Sequence, residues 1–240
     1  MRADDPNVVL VEAVAGGLGD LCEELVFVGG CAVSLLMDSP SAAPARVTHD
    51  VDLVVKVVAL PAYYALEREL ERSGFKRDDD PDAPICRWRL GEVMVDVMPS
   101  DPTVLGFSNR WYATVVSREH FLVRLPSGRG IRLISAPGLL ATKFEAFRSR
   151  GKSDALQSHD LEDIINIIEA RRNIIAEVGA SDAAVREYIK EQVADLVQDR
   201  GFAHALPGLI TFDDIYQDRL DAVRGRLAAL AQLENGGSTE

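Results

Sequence analysis

"RVTHDVDLVV", residues 46–55, sets two aspartates one residue apart at the head of a β-branched apolar run. A run of this kind reads as a strand, in which alternate side chains share a face. Asp50 and Asp52 therefore project together, while Val51 turns to the other side. Two carboxylates that close repel each other, and a cation or a held proton relieves the repulsion. Hard oxygen donors at this spacing suit Mg²⁺ or Mn²⁺. The plainer alternative is a polar strand end that faces water.

Two neighbouring stretches bear on that choice. "LVFVGGCAVSLLMD", residues 25–38, reads as a short buried strand, a tight turn at Gly29 and Gly30, and a helix start. Amides free at a helix start, next to residues without side chains, form a cradle for phosphate oxygens. The pair is neither a GxGxxG fingerprint nor a Walker loop. In "VMVDVMPS", residues 93–100, Asp96 interrupts an apolar strand at an alternate position, where a lone carboxylate is costly to bury. If this strand lies beside "VDLVV", Asp96 becomes a third carboxylate at one site; on an edge strand it would face solvent.

The rest of the chain splits by periodicity. Residues 7–24 carry helical apolar spacing, "SPSAAPA" is a loop, and "VDLVVKVV" continues the strand. Pro61 opens a helix over "AYYALERELERSGF". "ICRWRL" and "VMVDVMPS" read as two strands around a tight turn at Gly91-Glu92. Residues 101–110 read as a loop, and "WYATVVS", "HFLVRL" and "IRLIS" as further strands. After Ala136-Pro137-Gly138 the period becomes helical in "LLATKFEAFRSR", "SHDLEDIINIIEARR", "DAAVREYIKEQVADLV" and "DDIYQDRLDAVRGRLAAL", with "ENGGSTE" as a frayed tail. The expected class is α+β: a mixed α/β half with a small mixed sheet over residues 1–135, and a helical half over 136–240.

Charge and composition narrow the class further. A chain of 240 residues, 47% of them hydrophobic, suffices for a large core, and no apolar run is long enough to span a bilayer. The start "MRADDPNVVL" is acidic and lacks an apolar core followed by a cleavage site, so a secretory signal is not expected there. Three widely spaced cysteines, Cys22, Cys31 and Cys86, fit reduced thiols and a cytoplasmic protein better than a disulfide framework. The formal net charge of -12 opposes long contacts with nucleic acid. Yet between Ile85 and Arg150 ten Arg or Lys face five Asp or Glu. That basic middle is compatible with a phosphate-bearing ligand or a solvated strand face.

Gly-Gly, a helix, Asp-x-Asp at a strand start and a third Asp on a later strand together resemble the nucleotidyltransferase superfamily of DNA polymerase β. Within it, "VGGCAVSLL" followed by "RVTHDVDLVV" resembles the AbiEii-type toxin branch. Arg46, Thr48, Asp50 and Asp52 match its Arg-x-Ser/Thr-x-Asp-apolar-Asp element. "LLATKFEAF" resembles its Leu-x-x-Lys-x-x-Ala motif, placing Lys143 and Ala146, and "SHDLEDI" its Asp-x-x-Asp motif, placing Asp160 and Asp163. The resemblance covers roughly residues 25–170. Gly30 stands where the wider superfamily more often has serine, and "SRGKSDALQ" lengthens the interval between Lys143 and Asp160.

The resemblance implies transfer of an NMP from an NTP to an acceptor hydroxyl with Mg²⁺ or Mn²⁺. Asp50, Asp52 and Asp96 would be the metal ligands, with Asp96 also placed as general base. Gly29, Gly30, Arg46, Thr48 and Lys143 would hold the nucleotide, and Asp160 or Asp163 would orient Lys143 or touch the nucleotide. Lys143 reads equally as a helix lysine reaching for solvent, and the two aspartates as first-turn acids. The resemblance permits a tRNA or other RNA acceptor and a cognate antitoxin partner. Two alternatives stay open: transfer to a small cationic molecule such as an aminoglycoside-like antibiotic, and a nucleotide-binding regulator without turnover.

Overall fold

Seven strands form one mixed sheet in a computed structural model that describes residues 3–39, 42–57, 59–150 and 155–233. They are β1 (Leu25–Val28), β2 (Asp50–Val55), β3 (Lys76–Arg77), β4 (Arg87–Leu90), β5 (Val93–Pro99), β6 (His120–Arg124) and β7 (Gly130–Ile134). Their order across the sheet is β3-β4-β5-β2-β1-β7-β6. The frayed tail expected at 234–240, Val58, two residues of "SPSAAPA" and 151–154 of "SRGKSDALQ" lie outside the described residues.

The chain divides into two units, residues 1–35 with 46–135, and residues 36–45 with 136–240. The first holds the whole sheet. Its helix α1 (Pro6–Leu18) begins where the Asp5 carboxylate accepts from the Asn7 amide and Pro6 supplies a preset φ. Val8, Val11, Val14, Ala15 and Leu18 form its buried stripe. β1 is buried at every position, as a central strand covered on both faces must be. β2 alternates at its start, with Val51 and Leu53 fully buried and Asp50 and Asp52 only half-buried.

After β1 comes α2 (Gly29–Leu36), and after β2 comes α3 (Leu60–Arg72). The latter buries Tyr63, Leu66 and Leu70, and the Tyr63 hydroxyl donates to the Val97 carbonyl at 2.8 Å. β4 and β5 form the expected hairpin, with Gly91 at φ 58° in its turn. The segment expected as a loop at 101–110 contains a single helical turn, α4 (Pro102–Leu105), capped by Asp101 and closed by Gly106 in the left-handed region.

"WYATVVS" is not a strand. It forms α5 (Tyr112–Ser117), because the buried residues Trp111, Val115 and Val116 recur at helical spacing. Asn109 starts the turn by accepting from the Trp111 amide at 3.1 Å, and the Tyr112 hydroxyl reaches Met98 Sδ at 3.2 Å. The β-branched content suggested a strand, and packing overrode it.

The second unit holds α6 (Ala136–Ser149), α7 (His159–Ala170), α8 (Ile174–Ala180), α9 (Ala183–Gln198), α10 (Arg200–Leu209) and α11 (Tyr216–Ala231). Two of these, α8 and α10, escaped the periodicity reading; one is short and the other carries Pro207 in its interior. Ser158 caps α7 by accepting from Leu161. Leu161, Ile164, Ile165 and Ile168 of α7, Val185, Ile189 and Val193 of α9, and Leu220, Val223, Leu227 and Leu230 of α11 supply its core. Arg219 is buried there between Glu169 and Asp213, and these partners hold its guanidinium more firmly protonated than usual.

All three cysteines are buried thiols outside any disulfide. Burial pushes the Cys22 thiol up to about 11 and the Cys86 thiol up to about 12, the latter helped by the Asp96 carboxylate. A raised thiol pKa favours the neutral form in the fold. Its stabilising share is therefore complete below the ordinary value of about 9 and is lost as pH rises through 11 to 12. Cys22 and Cys86 should resist Ellman's reagent at pH 8 and react fully in denaturant. The urea midpoint should fall between pH 8.5 and 10.5, and rapid labelling of the native protein would contradict this account.

Candidate active site

Three carboxylates converge because β2 and β5 are parallel neighbours in a fixed register. Asp52 pairs with Asp96 and Val51 with Val95, which sends Asp50, Asp52 and Asp96 to one face. One carboxylate oxygen from each lies within 4.8 Å of the others. β5 sits between β4 and β2, so Asp96 occupies an interior strand and is 8% exposed, not an edge position in solvent. Oxygens this close, and of one charge, are the donor set that a divalent cation requires. The residues therefore fit Mg²⁺ or Mn²⁺.

The glycine pair follows from the same crowding. Gly29 lies at φ 71°, and a Cβ there would come within 1.8 Å of Asp52 Oδ2. A side chain at this position would collide with the carboxylate and strain the backbone. At Gly30 an added Cβ would meet Thr48 Cγ2 at 2.7 Å and Arg46 Nη2 at 3.0 Å. Thus the turn from β1 into α2, the segment carrying Arg46 and Thr48, and Asp52 are packed in direct succession.

A residue that sequence reasoning passed over ties these pieces together. Asn7 of α1 is 1% exposed. Its amide nitrogen donates to Ser34 Oγ of α2 at 2.8 Å and to the Arg46 carbonyl at 2.9 Å, while its Oδ1 accepts from the Thr48 amide at 2.9 Å. Thr48, also buried, donates its hydroxyl to the Asp50 carbonyl at 3.2 Å. Nothing at the sequence level marks this asparagine, which sits in the first turn of an ordinary helix.

Arg87 was also missed. On β4 it is the direct cross-strand partner of Asp96. Its Nε donates to Asp96 Oδ1 at 2.8 Å and its Nη2 to Asp96 Oδ2 at 2.7 Å, and Nη2 stands 3.8 Å from Asp50 Oδ2. The Asp96 hydrogen bonds are the largest influence holding this guanidinium well above its ordinary pKa. A signal existed: a two-residue turn at Gly91-Glu92 pairs Leu90 with Val93, and counting outward pairs Arg87 with Asp96.

Lys143 and Asp160 belong to the second unit. There Lys143 Nζ lies 3.2 Å from Asp160 Oδ1 and 2.7 Å from Asp163 Oδ2, and Arg150 Nη1 lies 2.7 Å from Asp160 Oδ2. Both aspartates are buried, so Lys143 is not reaching for solvent, while Asp160 does stand in the first turn of α7. His159 stands next to the cap and approaches Glu162 at 3.5 Å.

The family model described as "Nucleotidyl transferase AbiEii toxin, Type IV TA system" matches residues 14–229. Among solved structures, JHP933 from Helicobacter pylori is similar at 10% identity and TM-score 0.45, over 96% of this chain and 94% of its own. A second H. pylori protein, provisionally assigned as a nucleotidyltransferase, is similar at 12% identity and TM-score 0.44, over 97% and 95%. No curated protein matches this chain.

Replacing Asn7 by Ala leaves the Thr48 amide buried without its acceptor, which should cost about 1–3 kcal/mol in chemical denaturation. Gly29→Ala should destabilise by at least as much, since it adds a clash to a strained φ. Wild-type stability in either variant would refute the packing described.

Proposed function

This chain belongs to the AbiEii nucleotidyl transferase toxin family, and from that premise we propose that it is a metal-dependent nucleotidyltransferase that moves an NMP from an NTP to an acceptor hydroxyl. The observation that supports this reading is the set of three carboxylates within 4.8 Å, adjoining a glycine turn at a helix start. Asp50, Asp52 and Asp96 would hold the cation. A divalent ion bound there would supply charge neutralisation for the phosphates and make the acceptor hydroxyl more acidic.

The remaining chemistry falls to groups of the chain. The acceptor hydroxyl gives its proton to solvent as its oxygen attacks the α-phosphorus, the bond from that phosphorus to the bridging oxygen of the β-phosphate breaks, and pyrophosphate departs with the electron pair. First-turn amides of α2 lack intrahelical acceptors and suit the departing phosphate oxygens. Arg46, whose guanidinium lies over Gly30, adds positive charge on the same side. Both Asp96 oxygens already accept from Arg87, so a hydroxyl proton must compete there with two charged donors. We therefore assign Asp96 to ligation and not to proton abstraction. Lys143 and Asp160 enter this proposal as a nucleotide-binding lysine and the carboxylate that orients it.

The further parts of the proposal are an RNA acceptor such as a tRNA end, an antitoxin that restrains the activity in the cell, and a cytoplasmic setting. Among the described residues no helix is long and apolar enough to cross a membrane.

Incubation with each α-labelled NTP and Mg²⁺, against total RNA, protein and a panel of cationic antibiotics, tests the activity. Label in RNA is the expected result, and label in an antibiotic would replace the acceptor but keep the chemistry. Asp50→Asn, Asp52→Asn and Asp96→Asn should each reduce transfer by on the order of 100-fold or more while the fold persists. Transfer that survives Asp52→Asn, or no transfer to any acceptor class with nucleotide bound, would overturn the proposal. Lys143→Met should raise the KM for NTP more than it lowers kcat, and unchanged kinetics would remove Lys143 from the site.

A further inference from the structure

Arg87 has a relation to the carboxylate site that ordinary strand pairing does not require. An arginine paired across a hairpin could satisfy Asp96 with one N–H. Instead it presents a two-pronged contact at 2.8 and 2.7 Å, and its Nη2 stands between Asp96 and Asp50. A guanidinium in that position occupies much of the field into which a divalent ion must come, since cation and guanidinium address the same oxygens. The side chain is about one-fifth exposed, so water does not fully screen it.

We propose that Arg87 is a resident counter-cation of this site. It holds the three carboxylates together when no divalent ion is bound, and it competes with divalent ions for Asp96 and Asp50. Removing it changes two properties in opposite directions. Protein stripped of metal loses the charge that offsets three crowded carboxylates and becomes less stable. The same loss makes the site more negative and raises its affinity for divalent ions. A purely structural arginine would lower both.

The consequence concerns when the site loads. With Arg87 present, divalent ions alone bind weakly, and the phosphates of an arriving nucleotide add the ligands that tip the balance. Metal and nucleotide binding are then positively coupled, and Arg87 sets the size of the coupling. This rests on the nucleotidyltransferase reading, because it takes Asp50, Asp52 and Asp96 as metal ligands.

The test measures Mn²⁺ binding by electron paramagnetic resonance on protein stripped with EDTA, with and without a non-hydrolysable NTP analogue, alongside thermal melting. Arg87→Gln should bind Mn²⁺ roughly 10-fold more tightly without nucleotide. It should show a smaller gain on adding the analogue, melt earlier when stripped, and recover on adding Mn²⁺. Arg87→Lys keeps the charge but covers one oxygen, so its affinity should fall between the two, and it decides the matter if the Gln variant fails to fold. Mn²⁺ affinity that is unchanged or weaker in the variant overturns the counter-cation role. Asp52→Asn is the control: if it binds Mn²⁺ as wild type does, the carboxylate reading itself fails, whereas loss of binding there with no effect at Arg87 removes only this inference.

Discussion

Like-charge repulsion among three carboxylates is the constraint around which the sheet-bearing unit is built. The parallel register of β2 and β5 places Asp52 beside Asp96, and no side-chain rearrangement can separate residues paired in that way. A one-residue slip of β2 would turn Asp50 and Asp52 into the apolar layer now filled by Val51, Leu53, Val95 and Val97, each fully buried. The hydrophobic layer therefore enforces the very proximity that electrostatics opposes. What relieves the opposition sits on the other flank of β5, in Arg87.

Much of the first unit was legible because its signals are local. Alternation in "DVDLVV" showed that Asp50 and Asp52 share a face, and the helix following β1 was legible too, although α2 begins at Gly29 itself and not after the glycine pair. Asp96 was legible only conditionally, since a strand does not announce its neighbour. Asn7 was not legible at all: its side-chain hydrogen bonding depends on α1, α2 and the segment before β2 meeting in space. α5 shows the opposite failure, where residue type pointed to a strand and the burial of Trp111, Val115 and Val116 chose a helix. In the second unit the apolar periodicity of α7 and α9 was plain, and α10 was obscured by an internal proline that its neighbours tolerate.

The basic middle of the chain takes on another meaning once its partners are known. Arg87 is bound to Asp96, Arg89 to Asp78, and Lys143 and Arg150 to buried carboxylates, while Arg110 lies over the Trp111 ring and Arg148 meets Gln192. A large part of the positive excess thus serves internal pairing. Charge arithmetic over a segment overstated what it offers to an external polyanion, because acids elsewhere in the sequence return to it in space.

The two glycines, read from sequence as a phosphate cradle, are required first by the protein's own side chains. Gly29 makes room for Asp52, and Gly30 makes room for Thr48 and Arg46. These demands do not compete with phosphate binding, because a backbone bare enough to admit a carboxylate is also bare enough to present its amides. They couple the two instead. With Asn7 joining α2 to the segment that leads into β2, any shift of the glycine turn moves Thr48, and Thr48 is bonded to the Asp50 carbonyl. The surface suited to phosphate and the carboxylates suited to a cation are thus held as one body. That pre-organisation is what a reaction driven by positioning and charge requires.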